Sequence, residues 1–153
     1  MTSRDFLNFE VDFVESLRCI PMLVRLKLDT CGVKLKLDHW NRFSPEEKQN
    51  LVTIACSSCQ EIEEYRAYVQ NLVASKTGKL AKSLTIDPNP AWLNLNQIPS
   101  SLQTKLKEFD RQISLQSWSE LSTLQRFALI KLSRPSHENR NFLPALREFK
   151  LID

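Results

Sequence analysis

RCIPMLVRLKLDTCGVKLKLDHWNRFSPEE, residues 18–47, reads as a helix, a sharp stop, a short extended piece and the start of another helix. Ile20-Pro21 interrupts what precedes it, because proline lacks an N–H and biases its predecessor away from the helical region. Pro21 suits the first position of a helix that runs to about Thr30. Gly32 follows, where a left-handed helix terminus needs no Cβ. Val33, Leu35 and Leu37 then alternate with Lys34 and Lys36, the period of a short half-buried strand. Ser44-Pro45-Glu46-Glu47 supplies an N-cap hydroxyl, a first-turn proline and a capping-box glutamate.

Upstream, Phe6, Phe9, Phe13 and Leu17 recur at three- and four-residue steps and predict an amphipathic first helix. Downstream, Val52, Ala55, Cys59, Ile62, Val69 and Val73 keep to one helical face, with Leu51, Tyr65 and Leu72 widening it. This predicts one helix from Pro45 to about Lys76, ended by Gly78. Asp87-Pro88-Asn89-Pro90 is a linker, with one turn at Ala91-Trp92-Leu93. The opening pattern then returns at a shift of 98 − 20 = 78 residues: Ile98-Pro99, Lys105-Leu106, Leu115, Trp118 and Ser122 match Ile20-Pro21, Lys27-Leu28, Leu37, Trp40 and Ser44. Apolar character persists at Val24/Leu102, Leu35/Ile113, Phe43/Leu121 and Leu51/Leu129. An internal duplication of residues 20–52 as 98–130, with a linker at about 83–97, is one explanation; drift between similarly capped units is the other. Under duplication, Val33–Leu37 and Gln112–Leu115 would pair as a two-stranded ribbon. The tail carries one short helix or two turns, anchored by Phe142, Leu146 and Phe149.

These patterns predict a mainly α, compact single domain over residues 1–153, with at most a small β ribbon. The hydrophobic fraction of 42% and charged fraction of 25% are those of a globular chain. Two glycines in 153 residues argue against a turn-rich all-β fold. A net charge of +3 is too weak to imply nucleic acid without a concentrated patch. No apolar run reaches the length of a membrane span. Asp5, Glu10 and Asp12 interrupt the amino-terminal stretch, so it does not read as a signal peptide. The expected location is the cytosol, with the cysteines as thiols.

Four cysteines are the most tempting candidates for chemistry. Cys56 and Cys59 form a CxxC inside the predicted long helix, away from the helix N-terminus that would lower a thiol pKa. Helical spacing puts both sulfurs on one face, where a structural metal would need Cys19 and Cys31 as further ligands. The competing reading is that these are buried structural thiols, with regulatory redox chemistry as a third. His39 and His137 are far apart, and no serine or cysteine stands in a nucleophile motif with them. Glu46-Glu47 stabilises a helix N-terminus, while Glu61, Glu63 and Glu64 read as a solvated face. Ser75-Lys76-Thr77-Gly78-Lys79 resembles part of a P-loop but follows a helix instead of opening one. No catalytic residue is assigned. Arg18, Arg25, Lys27, Lys34 and Lys36 form a basic strip that could meet an acidic partner, against the plain reading that they are solubilising residues.

At Phe9-Glu10, Asp12-Phe13-Val14, Ser16-Leu17-Arg18-Cys19-Ile20-Pro21-Met22, Lys27-Leu28-Asp29 and Trp40, the chain resembles the cyanobacterial nitrate reductase associated protein family. Members are encoded near nitrate assimilation and molybdopterin-related genes and are regarded as accessory to assimilatory nitrate reductase. The resemblance implies a non-enzymatic protein without a cofactor of its own. Its implied partner is nitrate reductase or its maturation machinery, with molybdenum-cofactor insertion or stabilisation as the service. The alternative is a metal- or iron–sulfur carrier built on Cys19, Cys31, Cys56 and Cys59. A small-molecule enzyme would need a polar pocket containing His39 or His137.

Overall fold

The computed structural model describes residues 19–134 and 140–152. The helix expected over Phe6–Leu17, together with Arg18 and His137, lies outside the described residues. The fold is mainly α, with eight α-helices and one two-stranded antiparallel sheet among the described residues. The chain packs as two compact units, Met1–Asp87 and Pro88–Asp153.

The first unit runs α1 (Met22–Cys31), β1 (Val33–Lys34), α2 (Leu37–Asn41), α3 (Pro45–Thr53), α4 (Cys59–Thr77) and β2 (Lys82–Ser83). Pro21 stands just before α1 as its N-cap, and Gly32 ends that helix at φ +79 with its N–H donated to the Leu28 carbonyl at 2.9 Å. A residue with a side chain pays strain in that left-handed region, so glycine is the economical stop. Ser44 and Glu47 form the expected reciprocal capping box on α3. Val24, Leu28, Cys31, Val33, Trp40, Leu51, Tyr65 and Val69 make a continuous buried core.

Two expectations fail in this unit. The alternation over Val33–Leu37 gives strand only at Val33–Lys34; Leu37 opens α2 and is 51% exposed. The long helix predicted from Pro45 to Lys76 is two helices, α3 and α4, separated at Ile54–Ser58. Ser58 opens α4 with its own capping box, accepting from the Glu61 N–H at 3.1 Å while Glu61 accepts from Ser58 N–H at 2.9 Å. Lys27 holds the break from outside, donating to the carbonyls of Val52 at 2.6 Å and Ile54 at 2.7 Å. A cation on the terminal carbonyls of a helix satisfies acceptors that have no helical donor.

The second unit runs from a 3₁₀ turn at Ala91–Leu93 through α5 (Ser100–Glu108), α6 (Leu115–Glu120), α7 (Thr123–Ser133) and α8 (Phe142–Glu148). Trp118, Phe127, Leu129, Leu132, Phe142 and Leu146 fill its core. The Trp118 indole donates to the Asn94 carbonyl at 2.9 Å, and the buried Arg126 donates to the Trp92 carbonyl at 2.6 Å. These bonds pin the segment before α5 onto α6 and α7. Phe142, Leu146 and Phe149 are buried, as the tail pattern predicts.

Taken separately, the two units share internal detail. α5, α6 and α7 begin 78 residues after α1, α2 and α3: 22 to 100, 37 to 115 and 45 to 123. Arg25 Nε donates to the Ile20 carbonyl at 3.1 Å, and Gln103 Nε2 donates to the Ile98 carbonyl at 3.3 Å. Gly32 has φ +79 and its counterpart Asp110 has φ 54. Ser122 and Gln125 repeat the capping box of Ser44 and Glu47. The ribbon is not shared: β1 pairs with β2, in the register Val33 with Ser83 and Lys34 with Lys82, and the pairing expected with Gln112–Leu115 does not form. The strand that completes β1 comes from the chain just past α4, which the sequence pattern did not mark as extended.

A Cβ at Gly32 would sit 2.8 Å from Ile86 Cγ1 and 2.9 Å from the Leu84 carbonyl oxygen, whereas one at Gly78 meets nothing within 4 Å. Both glycines have positive φ. Gly78→Ala should therefore cost about 1 kcal/mol, and Gly32→Ala about 2 kcal/mol or more because the added clash includes backbone. Urea unfolding of the two variants measures the difference, and equal losses would remove the close approach of β2 from the account.

Candidate interaction surface

The β1–β2 ribbon is the best-defined polar surface of the first unit. Leu84 N–H donates to the Gly32 carbonyl at 2.8 Å, extending the pairing by one residue. Two side chains of α4 hold the incoming segment. Gln70 accepts from Ala81 N–H at 2.8 Å and donates to the Ala81 carbonyl at 3.0 Å, imitating a neighbouring strand with its amide. Arg66 donates to the Cys31 carbonyl at 3.0 Å and to Ser83 Oγ at 3.0 Å, tying the end of α1 to β2. A pair of two-residue strands is unstable alone, so this support decides whether the ribbon exists.

The five basic residues singled out from sequence separate into different roles. Arg18 lies outside the described residues. Arg25 is half-buried, and its Nε bonds the Ile20 carbonyl. Lys27 is half-buried, with its ammonium on two carbonyls and 5.7 Å from the Tyr65 ring centroid. Lys34 and Lys36 are exposed. The register places Lys82, also exposed, directly opposite Lys34. Like charges at opposed positions of an antiparallel pair cost stability, so this edge is not optimised for the fold. Lys82 was missed because nothing in the sequence showed which strand faces β1. The half-exposed Leu37 follows Lys36 at the start of α2.

The cysteines do not converge. Cys31 and Cys56 are buried, Cys19 is half-buried and Cys59 is exposed. Their Sγ atoms lie on neighbouring carbonyls of α1: Cys31 on Leu28 at 3.6 Å and Cys56 on Lys27 at 3.7 Å. Burial pushes the Cys31 thiol up to about 12, with Cys56 nearby adding to the effect. Burial likewise pushes Cys56 up to about 11, against the opposing influence of Lys27. Neither thiol is therefore activated as a nucleophile. The helix break also separates the CxxC, leaving Cys59 as the first residue of α4 and Cys56 before it. No group of three or more His, Cys, Asp or Glu residues able to hold a metal occurs among the described residues.

His39 is half-buried on α2, and its Nδ1 accepts from the Lys36 N–H at 3.2 Å. Burial lowers its pKa, with Lys36 acting in the same direction. His39 thus closes a local hydrogen bond at the start of α2. The P-loop-like stretch ends α4, with Thr77 Oγ1 donating to the Val73 carbonyl at 2.8 Å. No helix of the described residues is long and apolar enough to cross a membrane.

The family model described as conserved nitrate reductase-associated protein matches residues 6–149, and the chain belongs to that family. Comparison with the curated proteins and with the solved structures finds no match.

Two measurements check the division of labour among these residues. Lys27→Met should destabilise by about 1.5–3 kcal/mol, because it strips the donor from two carbonyls, while Lys34→Met should stay within about 0.5 kcal/mol of the parent. Loss of similar size in both would return Lys27 to the surface. Maleimide labelling at pH 8 followed by peptide mapping should find Cys59 modified first. Cys31 and Cys56 should react only in denaturant, since a rise of Cys31 from 9.0 to about 12 alone cuts its thiolate about a thousandfold. Rapid labelling of Cys31 in the folded protein would contradict this placement.

Proposed function

We propose that this member of the nitrate reductase-associated family is a non-catalytic accessory of assimilatory nitrate reductase. It assists the enzyme's maturation, with molybdenum-cofactor insertion as one such step, or stabilises it once assembled. Family membership over residues 6–149 supplies the association with the reductase. The observation that carries a binding role is the ribbon edge, where Lys34 and Lys82 are held opposite one another and exposed at a cost to the fold. An acidic surface on the partner would remove that repulsion on docking, so the charge pair favours the complex over the free protein. Lys36 and the adjacent half-exposed Leu37 extend this edge with one more charge and an apolar contact.

The alternative of a metal or iron–sulfur carrier draws no support from cysteines that join no group of three or more potential ligands among the described residues. A cytosolic site of action accords with cysteines kept reduced, and is part of the proposal.

The test is capture of nitrate reductase from nitrate-grown cells by the tagged protein. The parent should retain the enzyme, and Lys34→Glu with Lys82→Glu should reduce capture about tenfold without lowering the unfolding midpoint. Capture should also fall with added salt, as expected for exposed charges. Undiminished capture by the double variant would exclude the ribbon edge as the contact. Full reductase activity in a deletion strain would sink the accessory role itself.

A further inference from the structure

The second unit offers a different surface, independent of the ribbon edge. In the first unit the backbone after the left-handed residue is covered by β2, from Leu84 N–H on the Gly32 carbonyl to the Lys34–Lys82 pair. In the second unit the corresponding stretch, Arg111–Ile113, spans the same number of residues between a positive-φ residue (Asp110) and a serine N-cap (Ser114, φ −81, ψ 156); the first-unit counterpart of that cap, Lys36, has φ −85 and ψ 155. Yet no strand pairs with it among the described residues. The Arg111 N–H bonds back to the Leu106 carbonyl at 2.9 Å, closing α5, and no backbone bond engages Gln112 or Ile113 among the described residues.

Beside this stretch lies a cavity of about 230 Å³ lined by Ile98, Leu106 and Ile113 with Gln103, Lys107 and Arg111 around it. The buried Ile98 and Leu106 form an apolar floor. Lys107 and Arg111 are exposed at its rim, and no ion pair reaches either among the described residues. Of the acids next to them, Glu108 already pairs with Lys105 at 3.0 Å, which leaves Asp110. The volume suits one branched apolar side chain, and the two cations suit a carboxylate next to it.

We infer that this groove binds an extended peptide segment in which an apolar residue has acidic residues two positions before and after it. The apolar side chain enters the cavity, the acidic side chains on the same face of the strand meet Lys107 and Arg111, and the peptide backbone pairs with Gln112 and Ile113 as an added strand. β2 shows that this type of backbone accepts a strand within the same chain. One difference sets the register. Gly32 admits the Leu84 carbonyl to within 2.9 Å of where a Cβ would be, whereas Asp110 carries a Cβ. The added strand therefore stops short of Asp110 and lies against residues 111–113.

The probe is a blocked peptide of about seven residues with glutamate two positions before and after a central valine and serine elsewhere, titrated to about 1 mM into the isotopically labelled full chain. Amide shifts should concentrate at Arg111–Ile113, and Lys107→Glu with Arg111→Glu should weaken binding about tenfold or more. The same peptide with lysine for glutamate should not bind. If the double variant fails to fold by circular dichroism, Lys107→Gln with Arg111→Gln makes the same comparison. Absence of shifts, shifts centred on the first-unit ribbon, or affinity indifferent to both variants overturns the inference. Self-association of the parent that the variants abolish also overturns it, by assigning the groove to a second copy of this chain.

Discussion

Gly32 sits where three requirements meet. α1 must stop there, the chain must turn back along the helix, and another segment must come within contact distance of its backbone. A φ of +79 meets the first two, and the missing Cβ leaves room for the Leu84 carbonyl and the Ile86 side chain. Once β2 is seated, Arg66 finds the Cys31 carbonyl and Ser83 Oγ within reach together, and Gln70 finds both backbone groups of Ala81. A wider turn would leave these donors and acceptors half-buried without partners, a larger penalty than the strain of the turn. The burial of Cys31 and Val33 on either side of Gly32 follows from the same closeness.

The second unit shows what the frame becomes when that approach is absent. Asp110 holds the left-handed turn at φ 54, a conformation aspartate visits at a cost glycine avoids. Without a strand against it, its Cβ has no conflict to settle. Val33, fully buried in the core of the first unit, has Arg111 as its counterpart, exposed. The counterpart of Lys48, whose ammonium lies 5.6 Å from the Trp40 ring, is the buried Arg126 that carries the Trp92 carbonyl. One backbone plan thus supports two closures, one by strand and one by a 3₁₀ turn tied down through a guanidinium.

Much of this plan was legible in the sequence because helix ends are written locally. Ser44 with Glu47, Ser122 with Gln125, Gly32 and Gly78 each act within a few residues, and each stands where its chemistry says it should. The break at Ile54–Ser58 had a local signal too, in Ser58 and Glu61. It was overridden because Val52, Ala55, Cys59 and Ile62 continue the apolar face through the gap, and the carbonyls that Lys27 takes are set by tertiary contact. The ribbon was half legible. Alternation marked β1, but pairing partners are chosen by side chains on a third element, Arg66 and Gln70, which carry no strand signature. For the candidate surface, composition found Lys34 and Lys36 yet could not separate them from Lys27, since exposure is decided by what each ammonium meets.

The distribution of chemistry then bears on what such a molecule is suited to do. Groups with the capacity to react, Cys31, Cys56 and the Tyr65 phenol, are buried, and burial raises each of their pKa values. That keeps them in the neutral form, where they serve packing and short hydrogen bonds, as in the 2.7 Å bond from Tyr65 to the Leu51 carbonyl. Charge is instead presented on short, rigidly backed pieces of backbone: the ribbon carrying Lys34 and Lys82, and the end of α5 with the turn after it, carrying Lys107 and Arg111. Rigid backing matters because the backbone then loses little freedom on docking, and only the side chains remain to be ordered on meeting a carboxylate. Charges presented outward on such backbone suit recognition, and that is the physical ground on which the proposal of an accessory role rests.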